Sequence, residues 1–124
     1  MSDYGVVFIR FRPYAEVEPT HAKEISSAAD RISRGKRHAN LVDVRGLRYM
    51  SKETRDAFAR QRSSMVAAIA VLVASSLQQA MGNLYLTVSR PVIPTRLFSS
   101  EELAIDWLRE QCARADDAAR SIAS

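Results

Sequence analysis

Residues Val66–Ala74 read VAAIAVLVA, an unbroken apolar run with no polar position to mark an outer side. It has under half the length of a membrane span, which takes about 20 residues. Lack of alternation is the pattern of a strand covered on both faces in a mostly parallel sheet, so the run predicts the central strand of the fold.

Working outward from this strand, helices and shorter strands take turns. Downstream, Ser75 or Ser76 is placed to cap a helix in which Leu77, Ala80, Met81, Leu84 and Val88 share a face. Gly82 and Asn83 weaken its middle by about 1 kcal/mol, which predicts a kink or an early end there. Pro91 and Pro94 bar a central strand between them, and Thr95–Phe98 supplies a short last strand. Ser99 and Glu102 then have the spacing of a capping box. The helix they open carries Leu103, Ala104, Trp107, Leu108 and Gln111 or Cys112 on its apolar side, and 113–124 continues it with lower hydrophobicity and fraying.

Upstream, Tyr4–Phe11 reads as a strand that stops at Pro13. Thr20 is placed to cap a helix carrying Ala22, Ile25, Ala28, Ala29 and Ile32 on one face, ended by Gly35. Leu41, Val42 and Val44 make a short strand around Asp43, which could serve as a ligand or base, and Gly46 permits the turn that follows. Ser51 is a well-placed N-cap with Glu53 in the first turn, and the helix runs to about Arg60 or Ser63, burying Ala57 and Phe58. The fold class predicted is α/β: one small domain with four or five strands in a mostly parallel or mixed sheet, packed with about four helices. Residues 1–112 form that domain and 113–124 a helical or frayed tail. In such a sheet, partners meet the loops at the carboxyl ends of the strands, here Arg45–Ser51, Ala74–Leu77 and Phe98–Glu101.

A chain of 124 residues, 47% of them apolar, can bury a core without disulfide or metal staples. Cys112 stands alone, which suits a reducing cytoplasm, and Met1–Gly5 lacks the basic and apolar regions of a signal peptide. The expectation is a cytoplasmic protein with no membrane segment. Charge is unevenly placed: between Arg31 and Arg62, ten Lys and Arg stand against three acidic residues, while the whole chain carries only +4. Such a field attracts acidic or phosphorylated partners, and it also simply solvates a surface. Neither a GxSxG elbow nor a phosphate-binding glycine loop occurs. His21 and His38 have no second ligand at metal spacing, and Cys112 and Trp107 fit an apolar stripe. No enzyme, cofactor or metal is predicted.

The segments LVDVRGLRYM and SKETRDAF, the strand AAIAVLVASS and the ending PTRLFSSEELAIDWL together resemble a STAS-like domain over roughly residues 5–110. This is the fold of bacterial anti-sigma-factor antagonists and SpoIIAA-like proteins. The ending is the most specific part, through Phe98, Glu102, Ala104, Trp107 and Leu108. The resemblance implies a noncatalytic regulatory module that binds a partner protein, with or without a nucleotide or phosphate. Members that act as phosphorylation switches carry an Asp-Ser pair at the start of the second helix. Here Ser51 and Lys52 follow Met50, so Lys52 holds the acceptor position and the switch does not carry over intact. Ser51 and Thr54 are the substitute phosphoacceptor candidates, beside the cations Arg48, Lys52 and Arg55. Arg45, Arg48, Ser51, Lys52 and Arg55 are the candidate partner-binding residues.

Two other functions compete. A SEC14-like carrier of a small apolar or lipid-like ligand would use a cavity for which Ala67, Ala68, Ala70 and Ala74 leave room, although close helix packing accounts for the same alanines. Weak nucleic-acid binding by the basic segment is disfavoured because only Tyr49 interleaves with the cations. Edge strands Tyr4–Phe11 or Thr95–Phe98 offer a route to a homodimer.

Overall fold

The computed structural model describes residues 5–47 and 49–123. Strands and helices alternate as β1 (Val6–Arg10), α1 (Pro19–Ile32), β2 (His38–Asp43), α2 (Lys52–Ala59), β3 (Val66–Leu72), α3 (Ser76–Leu84), β4 (Thr95–Phe98) and α4 (Glu101–Ala123). A π-helical turn, Tyr85–Ser89, prolongs α3. All strand pairs are parallel, and the sheet order β1-β2-β3-β4 follows the chain. The α/β class is therefore as the sequence predicts, with β3 central and β1 and β4 at the edges. No described helix is long and apolar enough to cross a membrane.

That strand order has a direct consequence. Crossovers between parallel neighbours share one hand, so three successive crossovers in the same direction put α1, α2 and α3 on one face of the sheet. α4 follows the last strand, is not a crossover, and takes the other face. There Ala104, Leu108 and Cys112 close on Val6, Ala39, Leu41, Ala68, Ala70 and Leu72, all buried. Alanines on both sides of this contact, Ala68 and Ala70 against Ala104, let helix and sheet approach closely. Burying a leucine such as Leu41, Leu72 or Leu108 contributes about 2 kcal/mol. Phe98 and Trp107 extend the layer, with ring centroids 5.7 Å apart. Leu103, expected on the apolar stripe, is exposed.

Local chemistry moves several expected boundaries. Helix α1 starts two residues earlier than a Thr20 cap allows, because Pro19 fills its first position and Glu18 is the N-cap. The Glu18 N–H donates to His21 Nδ1 at 2.9 Å, which occupies that imidazole in capping. β1 is shorter than Tyr4–Phe11, and Tyr4 lies outside the described residues. β2 is longer than expected: it begins at His38 and takes in Asn40. Helix α2 buries Thr54 and Ala59, leaving Ala57 and Phe58 half-buried. Ser100, not Ser99, caps α4, its Oγ accepting from Leu103 N–H at 3.3 Å. α4 then runs unbroken through Cys112 into the residues expected as a tail.

Candidate functional site

The face under α1–α3 is not closed as the α4 face is. Along β3 the burial alternates strictly, with Val66, Ala68, Ala70 and Leu72 buried and Ala67, Ile69 and Val71 half-buried. The apolar run is thus not covered equally on both faces. Above Ile69 and Val71 lies a cavity of about 170 Å3, which Val66 and Val73 also line, while Ala67 packs with the α4 core. Ile9, Asn40, Val42, Ile69, Val71 and Leu97 form its floor, one or more from every strand. Ala22, Ile25, Phe58, Leu77, Met81 and Tyr85 come down from the helices, and Leu47, Tyr49 and Met50 stand in the loop between β2 and α2. The sequence placed such room beside the alanines. The structure packs Ala67, Ala68 and Ala70 with the α4 core, leaves Ala74 exposed, and lines the cavity with larger side chains instead.

Helix α3 roofs this space without burying any residue of its own. Leu77 is 66% exposed, and Leu84 and Val88 of the expected apolar face are exposed as well. What fixes the helix is polar. Ser75 caps it, accepting from Gln78 N–H at 3.1 Å, and the Gln78 side chain reaches across to the β2–α2 loop. Gln78 Nε2 sits 3.1 Å from the carbonyl oxygens of Val44, Arg45 and Leu47, and its Oε1 accepts from Ala74 N–H at 2.8 Å. Gly82 does not kink the helix; a Cβ there would lie 2.6 Å from Leu97 Cδ1, so glycine lets α3 sit close over β4. The regular helix gives way only at Tyr85. Burial alone pushes the Tyr85 hydroxyl up to about 12.

Two buried polar atoms among the described residues have no hydrogen-bond partner: His38 Nε2 and Asn40 Oδ1. His38 Nε2 faces Asp30 Oδ1 at 3.7 Å, and its Nδ1 lies 3.0 Å from Lys36 O. Asn40 has no such counterpart. It is 6% exposed, sits between Val7 and Ile69 in the sheet, and lines the cavity. Sequence reasoning started β2 at Leu41 and missed it. A polar residue alternating with Val42 and Val44 on one face was the available signal.

The predicted site residues are mostly engaged within the fold. Arg45 grips Asp43 through Nε (2.9 Å) and Nη2 (2.8 Å), and its backbone N–H donates to the same carboxylate at 3.0 Å. Arg10 Nε adds a fourth donor at 3.1 Å. These contacts, the Arg45 side chain first, hold the Asp43 carboxyl down at about 2 despite its burial. Asp43 is a structural clamp joining β1, β2 and the turn. Lys52 Nζ bonds Asp56 at 2.7 Å, and Asp56 also accepts from Ser89 Oγ at 2.7 Å, tying α2 to the π-helical turn. Lys52 and Ser89 together lower the Asp56 carboxyl. Arg55 Nη1 donates to Met50 O at 2.6 Å, bridging the cavity's rim.

Ser51 is the N-cap expected of it, accepting from Thr54 N–H at 3.1 Å and donating to Thr54 Oγ1 at 3.0 Å. Thr54 does not suit phosphorylation: it is 1% exposed and its hydroxyl donates to Val17 O at 3.1 Å. Arg48 lies outside the described residues. Cys112 is buried against the α4 core, and that burial raises its thiol.

One family model, described as a domain of unknown function (DUF7793), matches residues 1–111. No curated protein and no solved structure matches the chain.

Proposed function

Because the chain belongs to the DUF7793 family, a domain of unknown function, we propose a role from its geometry: a noncatalytic binding module that takes a small apolar ligand between the sheet and α1–α3. The observation that carries this reading is the contrast across one sheet. One face is closed by α4, while the other holds an apolar cavity of about 170 Å3 beneath a helix with no buried residue. Pockets of this make-up, apolar with a few placed polar groups, are the ordinary form of small-molecule sites. The cavity supports this reading better than the basic rim supports recognition of an acidic partner, since Arg45, Lys52 and Arg55 already hold internal partners.

Thermal unfolding with toluene as the probe tests it. At about ten times its dissociation constant, a ligand that binds only the folded state adds roughly 1.4 kcal/mol, or a rise of a few degrees for a domain of this size. Val71→Phe, which projects a ring into the cavity, is expected to fold and to lose that rise. Equal unfolding temperatures with and without toluene would refute the reading.

A second reading, a STAS-like regulatory module that docks on another protein, draws on a different observation. Leu77, Leu84, Val88 and Val92 are all exposed along α3 and the segment after it, and contiguous exposed apolar surface marks interaction sites. Replacing Leu84 and Val88 together by serine is expected to abolish capture of a protein partner while leaving toluene binding intact. Capture that survives this double replacement would count against it.

A further inference from the structure

We infer that the cavity takes a small apolar carboxylate, its apolar body over Ile69 and Val71 and its carboxylate held at the mouth by the Arg55 guanidinium. This rests on the reading of the cavity as a ligand site and names the class of ligand.

Three observations lead there. First, Arg55 is the one Lys, Arg, Asp or Glu among the described residues that line the cavity, so the lining carries a positive charge with no acid to match it. The neighbouring cations are matched, Arg45 by Asp43 and Lys52 by Asp56. The Arg55 side chain instead gives Nη1 to the neutral carbonyl of Met50 at 2.6 Å and joins no ion pair among the described residues. Nε and Nη2 form the other edge of the same plane, the fork that takes a carboxylate through two parallel bonds.

Second, Arg55 stands where the lining meets water. It is half-buried beside Met50 and Tyr49 in the lining, and Tyr49 is 70% exposed. A carboxylate at this mouth keeps part of its hydration and gains a counter-charge, whereas on the apolar floor it would lose its water with nothing in return. Third, the other polar groups of the lining do not select charge. Gln78 is bound to three loop carbonyls and Gln61 to Ala57 O, and the Ser26, Tyr49 and Tyr85 hydroxyls and the Asn40 amide are neutral. The body that fits is about one ring, since a dry apolar cavity of about 150 Å3 takes up benzene and this one has about 170 Å3.

Benzoate and benzamide, matched in shape and differing in charge, make the test. Both are titrated at neutral pH into the wild-type protein and into Arg55→Gln, Arg55→Lys and Arg60→Gln, the last removing an exposed cation that does not line the cavity. The wild-type protein is expected to bind benzoate more tightly than benzamide. That preference is expected to fall about tenfold in Arg55→Gln, to survive in part in Arg55→Lys, and to be unchanged in Arg60→Gln. A wild-type protein that prefers benzamide, an unchanged ratio in Arg55→Gln, or an equal fall in Arg60→Gln overturns carboxylate recognition by Arg55, while saturable toluene binding keeps the cavity reading standing. Absence of saturable binding of all three probes by the wild-type protein overturns both. The wild-type preference is read without any variant, so the outcome does not depend on whether Arg55→Gln folds.

Discussion

The two faces of this sheet are both largely apolar and yet behave as different materials. Under α4, alanine meets alanine and the leucines reach zero or near-zero exposure. Under α1–α3, larger side chains such as Ile69, Val71 and Leu97 stay half-buried around a cavity. The lesson is that closure depends less on how apolar a face is than on whether its covering helix brings a matching stripe. α4 supplies Ala104, Leu108 and Cys112 in register, whereas α3 is held by Gln78, Ser75 and a glycine contact and leaves Leu84 exposed.

The comparison breaks most visibly in the core. Leu108→Ala is expected to cost about 3–4 kcal/mol in chemical denaturation, because it opens a void in a closed layer. Ile69→Ala on the other face is expected to cost about 1–2 kcal/mol, since it enlarges a space that already exists and removes a side chain that was only partly shielded. Equal losses at the two positions would mean that the faces are equally packed.

A smaller effect tests the clamp at the carboxyl end of β2. Asp43 faces the α4 side through Arg10, which also approaches Glu101 at 4.0 Å. Its carboxyl is held at about 2 against an ordinary value of 3.8. A lowered carboxyl contributes stability that is complete above the unfolded value and is lost as pH falls through the folded one. The wild-type domain is therefore expected to lose about 1–2 kcal/mol between about pH 4 and pH 2 from this group. In Asp43→Asn that part of the acid limb disappears from the pH profile of unfolding, while stability at neutral pH drops by a similar amount. An unchanged acid limb would show that Asp43 carries no such linkage.

The smallest effect sharpens the account of α3. Gly82→Ala gains up to about 1 kcal/mol of helix propensity but drives a methyl into Leu97, whose flexible end must swing aside. Stability is expected to change by less than about 1 kcal/mol, while the Leu97 methyl resonances move and toluene binding weakens. A variant with unaltered Leu97 resonances would show that α3 does not sit over β4 as described.

Much of the fold was legible because its signals are local. Pro91 and Pro94, the Ser51 and Ser75 caps and the apolar run Val66–Leu72 fix their elements through neighbouring residues alone. Element edges were less legible where a partner distant in the chain decides them. β2 extends back to His38 because it pairs with β1 and β3, which no window around Leu41 reveals. The candidate site was the least legible part. VAAIAVLVA has the same apolar character whether a residue lines a core or a cavity, and only the covering helices separate Ala70 from Val71. Basic residues between Arg45 and Arg62 looked available for a partner because the acids that engage them, Asp43 and Asp56, lie within the same short segment and can be paired or free in an unfolded string.

The most direct test follows methyl resonances during a toluene titration of the wild-type domain. If the cavity takes an apolar ligand, Ile69, Val71, Met81 and Leu97 shift together and saturate along one binding curve, while Leu41, Leu72, Ala70 and Leu108 on the α4 side stay in place. Shifts spread equally over both faces, or none that saturate, would contradict the division of this sheet into a closed face and a receptive one.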